Sequence, residues 1–178
     1  SAGSHLPWLD KARSLALERF VQTGLPTDQD ENWRFTSVNP IAEISFYPAP
    51  SPEAWGPPNA RGARGEAGQF EDIRTNRFKE VGFSAFKSCQ IVFINGHFSP
   101  ELSHLEALAP GVKLGSLKVS LNTDSEWLHP HLTRYAATQA HAFTALNTAV
   151  FNDGAFVYLP KGVVLERPIH LLFISQPN

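Results

Sequence analysis

Residues 154–175, GAFVYLPKGVVLERPIHLLFIS, decide how this chain of 178 residues is read. Short runs of Val, Ile, Leu, Phe and Tyr are broken at Pro160-Lys161-Gly162 and again at Glu166-Arg167-Pro168. A helix interior does not tolerate Pro and Gly at that frequency, whereas short strands end on them. AFVYL, VVLE and IHLLFIS are therefore expected as successive strands. Their rhythm suits a parallel β-helix, in which each coil buries inward side chains against the next and leaves charges at its corners. Lys161, Glu166 and Arg167 are expected at such corners, and His170 on a strand.

Upstream, ATQAHAFTALNTAVF (137–151) spaces Ala140, Phe143, Leu146 or Asn147, and Val150 three to four apart, and its alanines favour helix. Asn147 is expected to bond free backbone groups where this helix ends, and Asp153-Gly154 to make the turn into the strands. TDSEWLHPHLTRY (123–135) shows helical phasing, with Thr123 to Ser125 as capping groups and Glu126 completing a capping box. A short helix closed by Pro110-Gly111 is expected from residue 100 onward, followed by a strand in VKLGSL. SCQIVFINGHFS (88–99) reads as a hairpin. Cys89 to Ile94 form one strand, Asn95-Gly96 a type I′ turn needing positive φ at both residues, and His97-Phe98 the return.

At the other end, Leu9, Ala12, Ala16 and Phe20 make one stripe of an amphipathic helix, which Gly24 and Pro26 stop. The leading SAGSH is set aside from this reasoning. DQDENWRFTSVNP (28–40) is expected as a short helical turn running into a loop, with Pro40 ending it. Residues 47–68 are rich in Pro and Gly with little bulk except Trp55, and read as a linker or mobile loop. Residues 69–86 are mixed in character, and a short helix is expected within them. The expected organisation is an N-terminal helical region (1–46), a linker (47–68), a mixed α/β region (69–150) and the start of a β-helix core (151–178).

Composition excludes several classes. Fifteen Lys and Arg against seventeen Asp and Glu leave a net charge of -2, so there is no electrostatic footprint for nucleic acid. Apolar stretches fall short of the roughly 18 residues that span a bilayer. A single cysteine, Cys89, rules out an internal disulfide and fits a reducing, cytoplasmic setting.

Candidate chemistry is sparse. Cys89 has the residue type of a sulfur or metal ligand, but SCQIVFI places it among core positions as a small hydrophobe. His129 and His131, with His141, offer a metal-binding set, yet no carboxylate or thiol stands at ligand spacing and HPHLT reads as a Pro-punctuated helix end. No G-x-S-x-G elbow supports a Ser nucleophile. GARGEAG (62–68) lacks the G-K-[ST] of a phosphate loop. Trp33 and Arg34 in ENWRFT have the chemistry of a partner surface, but Trp33 flanked by Phe35 equally anchors a helix end on a core.

Four pieces in order carry a family resemblance: the opening helix LPWLDKARSLALERF, LPTDQDENWRFTSV, the hairpin IVFINGHFSPELS, and FTALNTAVFNDGAFVYLPKGVVLERPIHLLFIS. Together they resemble the SufB/SufD family of iron–sulfur cluster assembly proteins, and its SufD branch most. The resemblance implies an α+β fold, a helical and mixed α/β cap leading into the first coils of a right-handed parallel β-helix. It implies a non-enzymatic scaffold role beside SufB-like subunits and the ABC-type ATPase SufC, with this sequence covering only an N-terminal portion. The family's cluster-building cysteine and histidine, near the far end of the β-helix, have no counterpart here. No catalytic residue, metal ligand or cofactor is therefore assigned, and the iron–sulfur cluster belongs to the full complex. Self-association through the open end of the β-helix is expected. A stand-alone interaction domain is the alternative, followed by a polysaccharide-active β-helix enzyme.

Overall fold

Pro7 supplies a pre-set φ for the first turn of a helix and loses nothing by lacking an N–H there. The computed structural model accordingly starts α1 (Pro7–Thr23), the longest helix among the described residues, at that residue and ends it on Gly24, whose φ of 70° and N–H donation to the Phe20 carbonyl close the last turn. The structure describes residues 6–50, 89–105, 108–136 and 141–175. Most of the expected linker, the GARGEAG run and the helix anticipated within 69–86 lie outside these residues. The chain divides into two units, residues 1–47 with 118–152, and residues 48–117 with 153–178. No helix among the described residues is long and apolar enough to cross a membrane.

The first unit is helical. After α1 come a 3₁₀ turn (Glu31–Trp33), α2 (Asn39–Ala42), α3 (Leu117–Thr123, all but its first residue), α4 (Ser125–Leu128) and α5 (Ala142–Val150). The expected stripe of α1 faces inward, with Leu9 and Ala16 buried and Ala12 and Phe20 partly so. That face packs against α5. A lone helix of this length is marginal in water, so the burial, roughly 1.5–3 kcal/mol for a side chain such as Leu9, is what holds it. Arg13 reinforces the contact: its Nη2 donates to the Phe151 carbonyl at 2.8 Å, and its guanidinium lies 4.8 Å from the Phe151 ring centroid.

Three local readings change in this unit. Pro40 opens α2 instead of ending a turn, which is where its fixed φ is favourable. The capping box at α4 does not form. Asp124 is the N-cap residue without a side-chain cap, and the Thr123 hydroxyl bonds the Val119 carbonyl (3.3 Å) and the Asp124 carboxylate (2.7 Å). In α5 the buried positions are Ala145 and Thr148, while Val150 is exposed. Ala and Thr are small enough to let the facing helix approach closely, and bulk alone misplaced the inner face.

The second unit is built on two small sheets. β1 (Cys89–Ile94) is the centre of a three-stranded sheet ordered β2-β1-β5, with β2 (His97–Phe98) antiparallel and β5 (Ile169–Ile174) parallel to it. Asn95 (φ 47°) and Gly96 (φ 82°) make the expected tight turn between β1 and β2. β3 (Lys113–Ser116) and β4 (Ala155–Tyr158) form a separate antiparallel pair. All six residues of β1 are buried. Its alternate side chains go to opposite faces: Val92 and Ile94 pack with Leu102, Leu172 and Ile174, and Phe93 meets Phe98 and Phe173.

This arrangement overturns the expected β-helix. A coil of that fold would place AFVYL, VVLE and IHLLFIS in successive parallel ladders. Instead β4 pairs antiparallel with β3, residues 163–166 form no strand, and β5 joins the other sheet beside β1. The α+β class stands. Apolar runs separated by turn residues specify strands but leave the partner open, because pairing is decided by contacts distant in sequence. The helix expected after residue 100 is also absent over residues 100–105. The backbone there continues along β1: Ser103 Oγ accepts from the Val92 N–H (3.0 Å), and His104 exchanges N–H and C=O bonds with Gln90 at 2.9 Å each.

Gly111 has a φ of 82°, and a Cβ added there would lie 2.9 Å from Pro160 Cγ. Gly111→Ala therefore combines backbone strain with a clash and is expected to cost about 1–3 kcal/mol. Gly115→Ala, which meets nothing within 4 Å, is expected to change stability by less than about 0.5 kcal/mol. Chemical denaturation of the two variants checks the contrast. Leu9→Ala is expected to lower stability by about 2–5 kcal/mol, whereas Val21→Ala on the exposed face of α1 should stay within about 0.5 kcal/mol.

Candidate functional site

In the second unit, polar chemistry gathers where the chain enters β4. Asp153 sits two residues before the first residue of that strand, and its carboxylate accepts three donors. Ser116 Oγ and the Gly154 N–H bond Oδ1 at 2.8 Å each, and the Phe98 N–H reaches Oδ2 at 3.4 Å. Ser116 is buried at the end of β3, opposite Ala155 in the ladder, and Phe98 belongs to β2. One carboxylate thus ties the two sheets and the link into β4 together. The turn expected at Asp153-Gly154 does not form: both residues lie in an irregular link that runs into β4. The carboxylate's reach to two other strands was not legible, since Ser116 and Phe98 lie far away in sequence.

His170 comes next. It stands opposite Gln90 in the β1–β5 register, and its Nδ1 lies 3.0 Å from Gln90 Oε1. The amide oxygen can only accept, so the ring donates from Nδ1. Gln90 was overlooked in the sequence, although a signal existed: a lone Gln inside the apolar run CQIVFI, if buried, needs a hydrogen-bond partner. Cys89 is buried one residue away, at the start of β1, in keeping with a small core hydrophobe. Lys161, Glu166 and Arg167 are exposed, Lys161 beside Gly162 in a turn and the other two before Pro168. They occupy turns as expected, without the β-helix coil those turns were to belong to. His97 Nε2 lies 3.1 Å from the Ala49 carbonyl, tying the chain near residue 49 to the hairpin.

In the first unit the histidines are engaged separately. His129 stacks on the Trp8 ring at 4.8 Å, His131 Nδ1 lies 2.6 Å from the Tyr135 hydroxyl, and His141 is the exposed residue just before α5. No group of three or more His, Cys, Asp or Glu side chains among the described residues is arranged to hold a metal. Trp33 meets the Phe143 ring of α5 at 5.2 Å, which is the anchoring role. Arg34 turns outward over Phe35 (5.5 Å), and Phe35 is 92% exposed. Asn147 is exposed, and it is the Asn147 backbone carbonyl that accepts the Phe151 N–H at 2.9 Å. Asp28, Gln29, Glu31 and Arg34 line an open polar depression of about 570 Å³. Open and polar, it differs from the enclosed and mostly apolar clefts that hold small molecules.

These side chains act as ties between elements and do not converge on one reacting point. A family model described as the SufBD protein N-terminal region matches residues 75–171, more than half of the chain. The chain belongs to the SufBD family. The match takes in β1 and its hairpin, the second unit's β3 and β4, Asp153, and β5 as far as Leu171.

Individual SufBD relatives align over most of the chain. An iron–sulfur cluster assembly SufBD family protein of Synechocystis is 30% identical over 85% of it, the match covering 29% of that relative. Iron–sulfur cluster assembly protein SufB of Bacillus subtilis is 24% identical over 96% of the chain and 35% of its own length. Iron–sulfur cluster assembly protein SufD of Escherichia coli is 22% identical over 90% of the chain and 30% of its own length. The chain therefore spans about a third of these relatives, and both SufB and SufD names occur among them.

Asp153→Ala removes an acceptor for three donors and is expected to cost about 1–3 kcal/mol of stability. A double-mutant cycle with Ser116→Ala should give a coupling of about 0.5–1.5 kcal/mol, whereas additive losses would mean that the 2.8 Å bond contributes nothing. For the anchor, Trp33→Ala should destabilise by about 1–3 kcal/mol and Phe35→Ala by less than about 0.5 kcal/mol, read from thermal unfolding.

Proposed function

We propose that this chain serves iron–sulfur cluster assembly as a non-enzymatic scaffold portion of a SufD-like subunit, paired with a SufB-like chain and served by a SufC-like ATPase. Membership of the SufBD family carries the reading, through relatives that are named for iron–sulfur cluster assembly. The cluster is cargo of the whole assembly in this proposal, and this stretch holds no cofactor of its own. The structure lends support in that several described polar side chains are engaged in contacts between elements: Asp153 hydrogen-bonds two strands, His170 pairs with Gln90, and His129 stacks on Trp8. A scaffold needs rigid strands in fixed register more than it needs a poised acid or nucleophile.

The SufD side of the proposal rests on the ordered N-terminal motifs, and a cytoplasmic setting rests on the single cysteine. Two readings lose their basis with the β-helix: self-association through its open end, and the less favoured alternative of a polysaccharide-active enzyme.

Co-expression of the complete natural protein with its SufB-like and SufC-like neighbours, followed by affinity capture of one tagged subunit, tests the reading. All three should elute together, and the complex, supplied with iron and a sulfur donor, should gain the visible absorbance of an iron–sulfur cluster. The protein alone should hydrolyse no ATP. Pairing with a SufD-like subunit in place of a SufB-like one would move the chain to the SufB side. Separate elution of the three, with no cluster formed, would overturn the proposal.

A further inference from the structure

We draw no further inference here: the strongest candidate, the run of exposed apolar side chains from Phe35 through Ile41, Ile44 and Phe46 to Tyr47 that follows the Trp33 anchor, carries nothing because nothing in the structure shows what covers it.

Discussion

The parallel pairing of β1 with β5 is the constraint on which the second unit depends. Six consecutive residues, Cys89 to Ile94, stand in register with Ile169 to Ile174. A slip by one residue would turn every side chain of β5 to the other face. Leu172 and Ile174 would leave the cluster around Val92, Ile94 and Leu102, Phe173 would lose its near-parallel stacking on Phe93 at 5.0 Å, and His170 would lose Gln90. Apolar packing on one face, ring stacking on the other and one polar pair thus agree on a single register. Buried on both sides, β1 reads as a nearly continuous apolar run, as a strand flanked by a parallel neighbour should.

Asp153 does for the joints what that register does for the sheet. It stands just before β4, and its two oxygens bond the end of β3, the Gly154 N–H that precedes β4 and the short return strand β2. Charged acceptors make stronger hydrogen bonds than neutral ones, so a carboxylate at this corner fixes three backbone paths with one side chain. The helical unit uses Arg13 in a comparable way, with a hydrogen bond to the Phe151 carbonyl and its guanidinium over the same residue's ring. In both places a charged side chain of the kind often found in active sites is used to hold elements together.

Legibility followed the distance over which each interaction acts. The hairpin at Asn95-Gly96 was readable because the turn chemistry is contained in two residues whose φ values are 47° and 82°. The stripe of α1 and its Gly24 stop were readable for the same reason, as were Trp33 as an anchor and Cys89 as a core residue. Residues 100–105 were misread because Ser103 and His104 spend their bonding groups on β1, a commitment no local window contains. The seven-residue helix α3 was missed as well. Val119 and Thr123 are β-branched and lower its local propensity, and the burial of Leu121 and Ser120 holds it in place.

By itself the sequence determined the strand character of residues 155–158 and 169–174, the turns between them, the helical opening and the family. Each of these follows from residue type and short-range spacing, or from several motifs in fixed order. Only the tertiary structure decided where those strands go: β4 to β3, β5 to β1, and neither into a β-helix coil. The physical reason is that a strand's backbone presents the same donors and acceptors to any partner. The choice between partners rests on side chains brought together from distant parts of the chain: Gln90 opposite His170, Phe93 on Phe173, and Ser116 on Asp153.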